Sequence, residues 1–132
     1  MEAASEEARS PEERVGSPDG DVLRAGPLEI RPAHQMALAE GRPLTLTVRE
    51  LQLLTALARR AERVVSRSEL YASVWVGAFR SHDRSVDVYV SKLRAKLEAA
   101  LPGWRYIHTH FGFGYRFSPR PLHDFHRSLT ER

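Results

Sequence analysis

The sequence predicts a single α+β domain, in which a small antiparallel sheet is followed by three helices and a C-terminal β-hairpin. Apolar and polar residues alternate between residues 22 and 47 and again between 104 and 117, as they do in strands with one buried face. Between these regions the apolar residues recur at helical spacing, and two Ser/Thr-x-x-Glu capping boxes mark helix starts. A chain of 132 residues is also the usual size of one domain.

The charge is unevenly distributed along the chain. Residues 1–21 contain seven acidic and two basic residues and almost no apolar ones, which predicts a disordered acidic leader. Residues 22–132 contain 18 basic and 10 acidic residues, a net charge of +8. A basic domain favours an anionic partner, and nucleic acid is the first candidate.

The composition argues against several classes of protein. With no cysteine there is no disulfide framework, thiolate metal site or cysteine nucleophile, and a reducing cytoplasm is the expected location. No run approaches the roughly 18 apolar residues of a membrane helix, so no membrane partner is expected. The six histidines show no metal-binding spacing with carboxylates. We therefore expect no metal, no cofactor and no enzymatic activity.

The N-terminal part of the domain reads as short strands separated by turns. Leu28 and Ile30 are expected to share one face, as are Leu44 and Leu46. Glycine and proline residues supply the turns between the strands. The segments concerned are "VLRAG", "PLEIRP" and "MALAEGRPLTLT".

Two capped helices follow these strands. The first is predicted to begin at Thr47 and to run to about Arg60, and the second to begin at Ser66 and to run to Trp75. In each case a glutamate three residues after the cap completes the box. The segment 76–83 is longer than the tight turn of a minimal helix-turn-helix.

The third helix is predicted to begin at Ser81 or Asp83 and to end near Ala100, before a Pro-Gly pair. At 100° per residue its apolar stripe, expected in the core, consists of Val86, Val90, Leu93, Leu97 and Ala100. The opposite arc carries small residues and cations: Arg84, Ser85, Val88, Ser91, Lys92 and Ala95, flanked by Arg94 and Lys96. Small residues allow close approach to a surface, and cations suit phosphate. A solvated basic face is the alternative.

The last regular element is a β-hairpin whose alternation is broken by Gly112 and Gly114. His108 and His110 fall on one face of its first strand, but two ligands make an incomplete metal site. The remaining residues, 120–132, form a tail for which no structure is predicted.

From residue 22 to 119 the chain resembles the C-terminal effector domain of OmpR/PhoB-type response regulators, a winged helix-turn-helix. The segments that carry this resemblance are "LTVRELQLLTALA", "RVVSRSELYASVW", "DRSVDVYVSKLRAKLE" and "YIHTHFGFGYRF", in that order. The resemblance implies a sequence-specific regulator of transcription that binds double-stranded DNA. It places the helix at 84–100 in the major groove and the wing at 105–117 near the minor groove.

The resemblance also implies individual roles. Lys92 is expected to read a base edge, and Tyr89 and Ser91 to contact bases or backbone. The expected phosphate contacts are Trp75 (through its indole N–H), Arg84, Ser85, Arg94, Thr109 and Tyr115. The expected polymerase contacts, in loop 76–83, are Phe79 and Arg80 as an exposed aromatic and cationic pair. The expected partners are therefore double-stranded DNA, RNA polymerase and a second copy of the chain on DNA.

Alternatives remain for several of these residues. Trp75 is equally expected in the core, and the alternative role of Tyr115 is packing within the hairpin. Asp87 is expected to orient a neighbouring arginine rather than to touch DNA.

The chain departs from the family pattern in two respects. The wing usually has a basic residue where this chain has Phe111, which could wedge, pack on sugars or contact a protein. In addition, residues 1–21 cannot form the receiver domain of a response regulator, so a stand-alone regulator or a piece of a longer chain is expected. The rival function is a winged-helix module that binds another protein, with little or no specific DNA binding.

Overall fold

The computed structural model describes residues 21–123, which form two small sheets packed around three helices. The predicted leader, apart from Asp21, and the tail beyond His123 lie outside the described residues. The first sheet has four antiparallel strands in sequence order: β1 (Leu23–Ala25), β2 (Leu28–Arg31), β3 (Met36–Ala39) and β4 (Arg42–Pro43). A short 3-10 helix, Pro32–His34, connects β2 to β3.

The strand register places alternate side chains in the core, as the sequence predicts. Leu28 and Ile30 are both buried, and they pair with Ala39 and Ala37 of β3. The last strand, Arg42–Pro43, is shorter than expected. The Leu44 amide still donates to the Ala37 carbonyl of β3 at 2.8 Å, but the half-buried Leu44 and Leu46 lie in an irregular segment before the first helix.

The three predicted helices are confirmed. They are α1 (Val48–Arg59), α2 (Arg67–Val74) and α3 (Ser85–Ala100). Both capping boxes form: the Thr47 hydroxyl accepts from the Glu50 amide at 3.1 Å, and the Glu50 carboxylate accepts from the Thr47 amide at 2.8 Å. Ser66 makes the same pair of bonds with Glu69 at the start of α2.

The start of α3 differs from the prediction. Its N-cap is Arg84, whose side chain makes no capping hydrogen bond, and the preceding Asp83 accepts from the Ser85 amide at 2.8 Å. Asp83 thus satisfies a backbone N–H of the first turn from one position earlier than an N-cap would. Ser81 lies in a turn and takes no part in the helix start.

The second sheet has strand order β5-β7-β6, formed by β5 (Val64–Val65), β6 (Trp104–His110) and β7 (Gly114–Pro121). The hairpin of β6 and β7 is the predicted wing, and β7 continues to Pro121, two residues beyond the expected end of the domain. The two-residue strand β5, between α1 and α2, was not predicted because it is too short to show alternation.

The core packs against one face of α3, whose predicted stripe is buried at Val86, Val90, Leu93 and Leu97 and half-buried at Ala100. Glu50 of α1 is only 2% exposed, and Lys96 of α3 donates to its carboxylate at 2.7 Å. Burial acts to raise the pKa of Glu50, but the bonds from Lys96 and Thr47 outweigh it, so the pKa lies below its usual value. The pair ties α1 to α3.

Two further properties bear on function. Among residues 21–123, no helix is both long and apolar enough to cross a membrane. The same part of the chain contains no group of three or more histidine, aspartate or glutamate side chains placed to hold a metal ion.

Candidate nucleic-acid interface

The outer face of α3 lies open at the surface. Its exposed residues are Arg84, Val88, Ser91, Lys92 and Ala95, directly opposite the buried stripe. The neighbouring Ser85 and Tyr89 are half-buried. This face, which has small side chains along its middle and cations at its margins, is therefore accessible along several turns of α3.

Lys92 belongs to a row of aromatic contacts that joins α3 to α2. Its ammonium nitrogen lies 4.9 Å from the centre of the Tyr89 ring, and Tyr89 meets Trp75 edge to face at 5.6 Å. Trp75 in turn stacks on Tyr71 at 5.4 Å. These contacts restrict the Lys92 side chain while its charge stays at the surface.

The position of Trp75 shows the packing role that was one of its two expected roles, and the phosphate contact stays a prediction. Its ring is half-buried between Tyr71 and Tyr89, with the Arg49 guanidinium 5.0 Å from its centre. Its indole N–H makes no hydrogen bond within residues 21–123 and can donate to an external acceptor.

The loop before α3 is irregular, as expected, but one of its two singled-out residues is not fully exposed. Phe79 is half-buried and packs on Tyr71, with 5.4 Å between ring centres, so the prediction of an exposed aromatic is wrong in this detail. Arg80 is exposed.

Asp87, in the first turn of α3, connects this helix to α2 and to the wing. Its Oδ1 accepts from Arg67 Nε at 2.8 Å and from the Tyr115 hydroxyl, and its Oδ2 accepts from Arg84 at 3.4 Å. Burial acts to raise the pKa of Asp87, but the bonds from Arg67 and Tyr115 outweigh it, so the pKa lies below its usual value. The predicted role of Asp87 in orienting arginines is confirmed.

Three of the expected phosphate contacts, Arg94, Thr109 and Tyr115, form bonds within the domain. Arg94 donates to the Ile107 carbonyl at 3.1 and 2.8 Å and to the Thr109 hydroxyl at 2.7 Å, and it lies 5.6 Å from the centre of the Tyr115 ring. Tyr115 is only 6% exposed, and its hydroxyl is bound to Asp87. Because β6 is an edge strand, its outward carbonyls lack a strand partner, and Arg94 supplies the missing donor. Arg94, Thr109 and Tyr115 are thus engaged within the domain, and their contact with phosphate stays a prediction.

The tip of the wing presents two phenyl rings. Phe111 is 87% exposed and Phe113 is 74% exposed, on either side of Gly112, which has a positive φ of 83°. The Phe113 amide donates to the His110 carbonyl at 2.9 Å and closes the turn. Phe113 was missed by sequence reasoning, although the Phe-Gly-Phe-Gly pattern shows that both rings flank a glycine at the tip.

The three helices, the accessible face of α3 and the hairpin packed against it define a winged helix-turn-helix domain. The chain matches the family described as "Transcriptional regulatory protein, C terminal" over residues 41–117, and it belongs to that family. The resemblance to OmpR/PhoB-type effector domains is thereby confirmed. It is a family of transcriptional regulatory domains.

Known relatives and solved structures agree with this assignment. The chain is 43% identical over 95 residues to the transcriptional regulatory protein CreB of Escherichia coli, covering 71% of this chain and 41% of CreB. The DNA-binding domain of CpxR from E. coli superposes with a TM-score of 0.69 at 33% identity, covering 74% of this chain and 96% of that domain. The Klebsiella pneumoniae RstA DNA-binding domain, solved in complex with its RstA box, gives a TM-score of 0.68 at 28% identity and covers 74% and 97%. The chain thus spans less than half the length of the curated relative CreB.

Proposed function

We propose that this protein is a sequence-specific, double-stranded DNA-binding regulator of transcription that acts in the cytoplasm. In this proposal α3 enters the major groove and the wing lies at the adjacent minor groove. The observation that carries it is the accessible outer face of α3, with small residues along its middle and cations at its margins. The major groove is about 12 Å wide and admits a helix with such a face. The RstA domain, which has the same fold, was solved bound to DNA.

The roles divide between base and phosphate contacts. Lys92 projects from the exposed face about halfway along α3 and reads a base edge, with Tyr89 and Ser91 beside it. Arg84 is 75% exposed, and its 3.4 Å bond to Asp87 leaves most of the guanidinium for phosphate, together with Ser85 and the Trp75 indole. Phosphate contacts fix the register of the helix, and base contacts select the sequence.

An unbiased selection of DNA ligands in vitro, followed by binding measurements at several salt concentrations, tests the proposal. We expect one enriched motif and a log–log salt slope near −0.9Z, with Z about 4 to 6 for one domain. Two enriched half-sites at a fixed spacing would indicate that a second copy binds the same DNA. No enrichment, together with binding that is insensitive to salt, would contradict the proposal.

Lys92→Ala tests the assignment of the base contact. We expect a loss of about 1–3 kcal/mol that is confined to one base position of the motif. Arg42→Ala is the matched control, because it also removes one exposed positive charge, but from the distant strand β4. If both variants lost affinity equally on all sequences, Lys92 would not be the reader.

We infer, as a finer part of the same function, that loop 76–83 contacts RNA polymerase through Arg80 and the exposed edge of Phe79. Arg80→Ala should reduce transcription from a target promoter while DNA affinity is retained. Phe79→Leu is the more conservative partner variant, since complete removal of the ring would also disturb its packing on Tyr71. Unchanged transcription in both variants would contradict the contact.

A second candidate function, a module that binds another protein, is favoured by the two exposed phenyl rings of the wing tip. Salt dependence separates the two candidates. Apolar docking of a protein on the wing would give a slope near zero and would be insensitive to Lys92→Ala.

A further inference from the structure

The wing tip presents an apolar surface that no contact within residues 21–123 explains. Among the large apolar side chains of residues 21–123 that are strongly exposed, only Phe111 and Phe113 are aromatic. Two exposed phenyl rings on either side of one glycine indicate a binding surface, because water contacts apolar area unfavourably.

The tip is held in place at its base. Gly114 has a φ of 147°, and a β carbon there would lie 2.0 Å from the Val65 carbonyl oxygen, so β7 passes in close contact with β5 directly beside the tip. The next residue, Tyr115, is bound to Asp87 in the first turn of α3. The two rings therefore extend from a base that is fixed relative to the outer face of α3.

The hairpin that carries the rings is cationic. Residues 104–121 contain three arginines and two histidines and no acidic residue. Glu62, from the turn after α1, forms ion pairs with two of these arginines, Arg116 and Arg120, so residues 104–121 together with Glu62 have a formal net charge of +2. Arg116 lies opposite His108 near the tip, whereas Arg105 and Arg120 lie opposite each other at the other end of the hairpin. An aromatic tip on a positive hairpin fits a polyanion with apolar surfaces, and it fits a purely apolar protein groove less well.

We propose that Phe111 and Phe113 enter the minor groove as an apolar wedge, partly unstack one base step and bend the DNA. This inference rests on the proposed function. A phenyl ring cannot donate hydrogen bonds to the acceptors on the groove floor, so its favourable contacts are with sugar faces and with opened base steps. Pyrimidine–purine steps deform most easily, and the wedge therefore selects them at positions where no base edge is read.

The experiment uses the DNA ligand obtained by selection, as a short duplex labelled at both ends for energy transfer. A second series of duplexes carries 2-aminopurine at each step in the region of the wing. For the wild type we expect a bent duplex and increased 2-aminopurine fluorescence at one step. The double variant F111A/F113A should lose both signals and bind about tenfold more weakly, and its salt slope should be unchanged because no charge is removed.

Two control variants test whether the bend depends on the side chains at the wing tip. Val48→Ala removes an exposed apolar side chain from α1 and should keep the bend. Phe111→Leu retains a side chain able to wedge and should keep most of it.

The outcomes distinguish this inference from the proposed function. If F111A/F113A bound and bent the DNA like the wild type, the wedge would be refuted and the DNA-binding function would stand. Loss of affinity in F111A/F113A, with a wild-type protein that leaves the duplex straight, would also refute the wedge. If the wild type bound no DNA but retained a protein partner that F111A/F113A lost, both the inference and the proposed function would fail.

Discussion

Replacing Asp87 with alanine should weaken the domain at the point where α2, α3 and the wing meet. Asp87 accepts from Arg67 and Tyr115 through one carboxylate oxygen, and its side chain is 22% exposed. Both bonds are charge-assisted, and the Tyr115 hydroxyl sits on a buried residue. Removing the carboxylate therefore leaves a buried donor without its acceptor.

The magnitude follows from the two partners. Arg67 is partly exposed, so its ion pair with Asp87 contributes at most about 1 kcal/mol. Loss of the acceptor for the Tyr115 hydroxyl adds about 1–3 kcal/mol. We expect Asp87→Ala to destabilise the domain by about 2–3 kcal/mol, and Tyr115→Phe by about 1.5 kcal/mol. The double variant has no unpaired hydroxyl, so its loss should be smaller than the sum by about 1 kcal/mol.

Urea unfolding of the wild type, both single variants and the double variant measures this coupling. A loss of 2–3 kcal/mol shifts the midpoint by about 1–2 M urea. The difference between wild type and Asp87→Ala should also depend on pH. Because folding lowers the pKa of Asp87, its contribution is present above the unfolded value of about 3.9 and is lost as the pH falls through the folded value. Additive losses, with a difference that is constant from pH 7 to pH 3, would refute the reasoning.

Three further predictions concern the wing. Gly114→Ala should destabilise the domain by about 3 kcal/mol, because its β carbon meets the Val65 carbonyl. Gly112→Ala, whose β carbon would lie in open space, should destabilise it by only about 1 kcal/mol, and urea unfolding compares the two variants. Burial lowers the pKa of His108, whose Nε2 donates to the Ser118 carbonyl at 2.9 Å. Stability should therefore fall as the pH decreases from about 6.5 towards the folded pKa, and His108→Gln should abolish that slope in thermal melts at each pH. Arg94→Ala should destabilise the domain by about 2 kcal/mol and leave the salt slope of DNA binding unchanged. A smaller salt slope in this variant would show that Arg94 contacts phosphate.

The helices were predictable because their signals are local. A capping box needs only four residues, and both boxes form with the partners that the sequence indicates. The apolar stripe of α3 depends only on the helical period, and four of its five predicted residues are buried. The α3 cap was less predictable, because a serine and an aspartate lie close together before the helix and spacing alone does not choose between them.

The second sheet could be predicted only in part. The hairpin shows alternation and glycines, but β5 has only two residues and exists because β7 passes beside it. No local pattern indicates a strand of that length. The close approach of Gly114 to Val65, which fixes the base of the wing, is likewise a long-range contact.

The positions of two arginines on α3 could not be predicted from helical periodicity. Arg84 lies on the outer arc and Arg94 on its flank, and the family resemblance implies a phosphate contact for both. In the structure Arg84 remains largely exposed, whereas Arg94 is turned towards β6 and binds the Ile107 carbonyl. The difference arises because the hairpin covers one flank of the helix and leaves an edge-strand carbonyl in need of a donor. A helical wheel contains no information about that neighbour. The position of the wing therefore decides which basic residues can face a polyanion. The same hairpin that binds Arg94 also presents the two phenyl rings at its tip.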